Sequence, residues 1–190
     1  MTRDPHPKFD PDKHHRKSIR LQGYDYSQAG AYFVTIVTYR RDMLFGEIQN
    51  GEMMLNDFGT ITDECWHAIP EHFPFVELAA HVIMPNHTHG VIVINGRGTH
   101  VNLRGTIYRA PTDNNEQFGK PIKGSLPTII RTYKAAVTRM IGREHNATGI
   151  WQRNYYEHII RDEKDLQRIT DYIEANPSRW NDDDENPRNG

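Results

Sequence analysis

Residues 75–94 read FVELAAHVIMPNHTHGVIVI, and this stretch decides the fold. Phe75 to Met84 is a run of apolar and β-branched residues of strand length, and His87 to Ile94 is a second. Pro85-Asn86 between them is turn chemistry, since proline presets its own φ and asparagine bonds locally. Upstream, Ala31 to Tyr39 (AYFVTIVTY) predicts a strand, and Met43 to Ile48 is expected to pair back on it. Downstream, Ile150 to Ile160 (IWQRNYYEHII) predicts another.

Three helices separate these strands. Asn56 is an N-cap for a helix running to about Ile69, ahead of Pro70. Residues 126–143 place Leu126, Ile129, Ile130, Tyr133, Val137, Met140 and Ile141 on one stripe. Arg131, Lys134, Arg139 and Arg143 fall on the other side. Asp162 caps a last helix whose first turn is acidic, as the helix dipole favours, and Pro177 ends it. Leu166, Ile169 and Ile173 supply its apolar stripe. The order fits an α+β domain, an antiparallel sheet with helices packed on one face, ferredoxin-like in kind.

The chain is 190 residues long, enough to bury a core without staples. Its single cysteine, Cys65, excludes an internal disulfide framework and a multi-cysteine zinc site. It has no apolar run of membrane-spanning length, and the N-terminus lacks the apolar segment of a signal peptide. A reducing cytoplasm is the expected setting, with no membrane partner. Residues 1–17 read as a flexible polar arm, 18–180 as the domain, 95–124 as a long loop inside it, and 181–190 as a solvated acidic tail.

Net charge is −2, which disfavours a generic basic DNA-binder. The distribution is uneven. Residues 95–143 carry nine Lys/Arg against Asp113 and Glu116, a local charge of +7 in a chain whose remainder is −9. Such segregation suits either a polyanion partner or a solvated helix face beside a lysine-bearing loop.

His87 and His89 are the sharpest chemical feature. At i and i+2 on a strand, both imidazoles face one side, as a metal site needs. The chain has eleven histidines, so a chance pair also fits. A third ligand and a reactive group must come from elsewhere. Tyr172 and Asn176, i and i+4 on the last helix, share a face at the edge of its apolar stripe.

Three separated strings, VIMPNHTHGVIVI, GIWQRNYYEHIIR and DYIEANP, occur in that order, with SIRLQGYDYSQAGAYFVTIVTYRR upstream. Together they resemble the single-tyrosine HUH transposases of insertion sequences, and most of all the REP-associated tyrosine transposases. The resemblance spans roughly residues 18–180. It implies His87 and His89 as paired metal ligands, Tyr172 as nucleophile and Asn176 as third ligand. Thr88 departs from the pattern, which has a bulky apolar residue between the histidines.

The implied activity is metal-dependent cleavage and joining of single-stranded DNA through a 5′-phosphotyrosine, for transposition or for mobilising short palindromic repeats. The implied cofactor is Mg²⁺ or Mn²⁺, although an imidazole pair on its own favours a transition metal. Partners would be single-stranded or hairpin DNA, near the nucleoid, with the protein a monomer or a homodimer. Arg104, Arg109, Lys120, Lys123, Arg131, Lys134 and Arg139 are the expected DNA-backbone contacts, with Tyr108 able to stack on a base. His158 is the candidate for a supporting role behind the ligands. The alternatives are a descendant that binds hairpins without cutting, and a metal phosphodiesterase that uses water.

Overall fold

A computed structural model describes residues 24–95 and 122–189. The arm at 1–17 and most of the basic loop, including Arg104, Tyr108, Arg109 and Lys120, lie outside the described residues.

Four strands form the main sheet: β1 (Gly30–Val37), β4 (Val76–Met84), β5 (His87–Ile94) and β6 (Tyr156–Ile160), in the order β4-β5-β1-β6. Every pairing is antiparallel. The 85–94 reading holds closely, because the Pro85-Asn86 turn sets β4 against β5 with Met84 opposite His87. Two strand expectations change. The segment after β1 does not return to it: β2 (Gly46–Gln49) pairs with β3 (Glu52–Leu55) in a separate hairpin. The turn between them, Asn50-Gly51, has positive φ at both residues, the geometry of a tight hairpin. The 150–160 strand is shorter than its apolar run, with Trp151 giving only an isolated bridge to Thr38.

The helices are α1 (Asp57–His67), the short α2 (Ile69–His72), α3 (Leu126–His145) and α4 (Glu163–Ala175). Their caps act as the sequence predicts. Asn56 Oδ1 accepts from Gly59 N at 3.0 Å, and Asp162 Oδ1 accepts from Asp165 N at 2.8 Å. Asn146, in the left-handed conformation, closes α3.

The α+β class stands, but the helices do not share one face. Alternate residues of the central strands feed two separate cores. Tyr32, Val34, Ile36, Ile92 and Ile94 pack with Trp66 of α1 and with Ile129, Ile130, Tyr133 and Val137 of α3. Ala31, Phe33, Val91 and Val93 pack with Ile169 and Ile173 of α4. The sheet is thus covered on both sides. The unbroken apolar run Val91-Ile92-Val93-Ile94 is the sequence mark of a strand buried on both faces.

A second correction concerns the C-terminus. Residues 181–189, read above as a solvated acidic tail, are largely exposed but fold back on the domain through Asp183, Glu185 and Asn186. A 3₁₀ turn over Pro177–Asp182 leads the chain back over the mouth of the β4–β5 turn. There Asp183 and Asn186 are buried. Asn86 Nδ2 donates to Glu185 O at 2.7 Å, and Arg41 bonds both the Glu185 carboxylate (3.0 Å) and Asp184 O (3.1 Å).

Candidate active site

The site begins with strand parity. His87 and His89 sit with Val91 and Val93 on the α4 side of the sheet, and Thr88 points to the other side. Both rings are buried, their centroids 4.4 Å apart. Thr35, directly across the ladder from His89, holds its Nδ1 through Oγ1 at 2.9 Å. Phe33 stacks on the same ring at 5.3 Å.

His87 can be assigned a tautomer. Asn86 uses its amide nitrogen to donate to Arg41 O and Glu185 O, so the atom facing His87 is Oδ1, an acceptor. His87 must therefore donate from Nδ1, at 2.9 Å. That leaves Nε2 with a bare lone pair, buried and without a hydrogen-bond partner. A metal-binding imidazole takes this form, with one nitrogen anchored and the other free to ligate. Burial, with Arg41 nearby, pushes the His87 pKa down to about 3. Burial and then the neighbouring His87 depress His89 well below its usual range. Both rings are neutral at physiological pH, as ligands must be.

α4 supplies the other half. Ile169 and Ile173 bury its apolar side, which sets Tyr172 at the rim, 43% exposed. The Tyr172 hydroxyl lies 3.2 Å from His89 Nε2, and its ring meets the edge of Phe33. Burial, followed by the charge of Asp183, pushes the phenol up to about 12, while a bond to Asn176 works against this. One turn on, Asn176 is buried. Its Nδ2 donates to Asp183 Oδ2 at 2.8 Å, which turns Oδ1 into a second buried electron-pair donor without a partner.

Asp183 is the residue that sequence reasoning missed. It brings a carboxylate oxygen to the histidine pair, with one donor atom from each of His87, His89 and Asp183 lying within 4.8 Å of one another. One signal was present: Trp180, a lone large aromatic in an otherwise polar segment, packs 6.0 Å from the His87 ring. A cleft lined by Tyr172, Asn176, Arg179, Asp182, Asp183 and Asp184 opens beside the cluster. The donor set fits a divalent cation. It combines two neutral imidazoles, an amide oxygen and a carboxylate, and two of the donor atoms are buried with nothing else to bind.

The remaining expected residues lie elsewhere. His158 shares the α4 side of the sheet, opposite Phe33, but its Nε2 bonds Asp165 Oδ2 at 2.7 Å. It thus ties β6 to the first turn of the helix that carries Tyr172. Arg131 and Arg139 are exposed on α3 and Lys123 just before it, on the far side of the sheet from the histidines. Lys134 is not free, because its ammonium donates to the carbonyls of Gln152 and, at 3.3 Å, Asn154. Burial lowers its pKa to about 8. No described helix is long and apolar enough to cross a membrane.

Comparison with known proteins narrows the reading. No family model matches the chain. A Haemophilus influenzae protein of uncharacterized function is 41% identical over 181 residues, covering 93% of this chain and 96% of that one. A second Haemophilus influenzae protein, named as a candidate REP-associated tyrosine transposase, is 29% identical over 80% of this chain and 73% of its own. Among solved structures, a REP-associated tyrosine transposase bound to a REP hairpin superposes with a TM-score of 0.54 at 20% identity, over 87% of this chain and 74% of that one. At that identity the superposition speaks for the fold.

Proposed function

We propose that the chain is a REP-associated tyrosine transposase, a reading supported by its 29% identity to the Haemophilus influenzae protein of that name, and that it cuts and rejoins single-stranded DNA with Tyr172 as nucleophile. One observation carries this reading. The Tyr172 hydroxyl sits 3.2 Å from His89 Nε2, beside the orphaned lone pairs of His87 Nε2 and Asn176 Oδ1.

His87, His89 and Asn176 would hold a divalent cation of the Mg²⁺ or Mn²⁺ kind, with Asp183 as a further oxygen donor. Such an ion polarises a scissile phosphate and stabilises the charge that develops on it. The protein's residues do the rest. With its pKa pushed up to about 12, Tyr172 is a neutral phenol at physiological pH and a weak nucleophile until its proton leaves. The edge contact with Phe33 restricts the ring and keeps the oxygen beside the ligand cluster, while the bond to His89 Nε2 is one that an ion on that nitrogen would replace. Its attack forms one O–P bond and breaks the bond to the departing 3′ oxygen. The products are a 5′-phosphotyrosine and a free 3′-hydroxyl. Because the phosphodiester is conserved, another 3′-hydroxyl can reverse the step and join strands.

The relative solved with a REP hairpin suggests hairpin DNA as the partner. Arg179, exposed in the same cleft as Tyr172, is placed to meet a phosphate close to the reaction. Lys123, Arg131 and Arg139, with Arg104, Arg109 and Lys120 of the basic loop, would bind flanking backbone. DNA that reaches both Tyr172 and α3 must pass round an edge of the sheet.

The test is covalent capture. End-labelled single-stranded hairpins are incubated with the protein and Mn²⁺, then resolved in SDS. Label that moves to protein mass, and disappears with EDTA or with Tyr172→Phe, supports the mechanism. Hairpin binding without an adduct under any metal would reduce the protein to a binding module. Cut DNA that Tyr172→Phe still produces would make the site hydrolytic.

A further inference from the structure

The face of the sheet away from Tyr172 carries a second convergence of ligating side chains. Asp63 and His67 stand one turn apart on α1. His81 reaches them from β4, just past the irregularity that interrupts the β4–β5 register after Leu78. Both imidazoles address one carboxylate. His81 Nε2 is 2.8 Å from Asp63 Oδ1, and His67 Nδ1 is 3.5 Å from Asp63 Oδ2. The two rings lie nearly perpendicular with centroids 4.8 Å apart. One donor atom from each residue falls within 4.8 Å of the others. Trp66, fully buried, stacks on His81 at 5.8 Å and holds that ring in place.

We propose that Asp63, His67 and His81 form a second metal site, of the Zn²⁺ class, that fastens α1 to β4 and takes no part in the chemistry at Tyr172. The donor set decides the class. Two imidazoles and one carboxylate suit zinc and its neighbours, whereas magnesium prefers an all-oxygen shell. His67 is the most open of the three, its side chain 61% exposed, so the site faces solvent and leaves room for water as a fourth ligand. Closing on an ion asks for little movement. Ligand atoms about 2 Å from a tetrahedral metal stand about 3.3 Å apart, and His67 can close the gap by turning its exposed side chain. His67 Nδ1 also lies 3.1 Å from the Asp63 carbonyl, a contact that this turn would exchange for the metal.

The experiment uses the full chain carrying His87→Ala and His89→Ala, which removes the histidines of the first site. Zn²⁺ is titrated by calorimetry, and Co²⁺ is followed by its visible absorption. About one equivalent of Zn²⁺ is expected, with a Tm raised by roughly 5–10 °C at a hundredfold excess over Kd. Adding His67→Ala or Asp63→Asn should abolish both effects, and His67 is exposed enough for its loss to leave folding intact. If the double-alanine background does not fold, the same comparison is made in the otherwise unaltered chain, where His67→Ala should lower the Zn²⁺ stoichiometry by one. Absence of Zn²⁺ binding in the folded background overturns the proposal. So does binding that survives His67→Ala, which would place the ion on other histidines, such as His14 and His15.

Discussion

The two faces of the central sheet are built to different standards. Among the described residues, 21 buried ones on the α1/α3 face form one continuous core around Trp66, Tyr32 and Tyr133. On the α4 face, six of the described residues form the buried apolar cluster, and the neighbouring area goes to two histidines, an asparagine and an aspartate. The large core supplies the hydrophobic stabilisation that lets the smaller one keep orphaned lone pairs. Both faces come from the same strands, because alternate residues of β1 and β5 face opposite ways. This division separates stability from chemistry, and it should show in substitutions.

The sharpest break between the faces is Tyr172→Phe. The phenolic oxygen is the proposed nucleophile, so covalent adduct should fall by at least roughly a thousandfold. Stability should stay within about 0.5 kcal/mol, since the side chain is partly exposed and loses only the contacts of one rim hydroxyl, with His89 and Asn176. Adduct yield read against the urea midpoint checks both halves at once. Comparable losses in both would mean that α4 docking, rather than chemistry, had failed.

The opposite signature belongs to Gly90, next to His89 but facing α1. A Cβ there would meet the Trp66 ring at 2.2 Å, and that ring is fully buried. Gly90→Ala should cost about 3 kcal/mol through overpacking. Denaturant unfolding measures this, and whatever protein remains folded should still form adduct. An alanine tolerated without loss would mean that the large core is looser than its packing indicates.

Much of this division was legible beforehand. Parity alone put His87 and His89 on one side and Thr88 on the other, and i,i+4 spacing put Tyr172 above Asn176. Two features escaped for identifiable reasons. Placing α4 on the second face required reading the 91–94 apolar run as two-sided burial rather than as strand propensity alone. The role of Asp183 depends on a return of the chain fixed by Arg41 and Asn86, contacts between residues about a hundred and more positions apart. No local pattern encodes a contact of that range, and acidic composition by itself argues for solvation.

Acid should weaken the α4 face first. His87 is held neutral with its pKa near 3 against an ordinary 6.5, so below 6.5 the unfolded chain takes up a proton that the folded chain refuses. Stability from this source is complete above pH 6.5 and is lost as pH falls toward 3. His89 shifts in the same direction for the same reason. Between pH 7.5 and 5.5, in EDTA, His87 should remove about 1.4 kcal/mol, and His89 adds to the loss in the same direction. Urea midpoints at the two pH values measure the loss, and His87→Ala should remove its share of the pH dependence. An unchanged midpoint in the parent chain would mean that the site opens to water and lets the rings protonate while folded.

The smallest effect is expected at Thr88, the departure from the pattern that the sequence resembles, and it tests whether the two faces are independent. Thr88 is fully buried between the histidines in sequence but belongs to the large core in space, with its Oγ1 3.5 Å from the Tyr133 hydroxyl. That distance is at the limit for a hydroxyl pair, and the Tyr133 hydroxyl already donates to Thr62 O at 3.3 Å. Thr88→Val exchanges a weakly bonded hydroxyl for a methyl group of similar size, in apolar surroundings. Removing the buried hydroxyl and losing its weak bond nearly offset each other, so stability should change by less than about 1 kcal/mol. Adduct formation should be unaffected, because the side chain points away from His87 and His89. A Thr88→Val protein of normal stability that had lost adduct would show that packing on the α1/α3 face sets the spacing of the histidines, and that the faces are coupled through the strand itself.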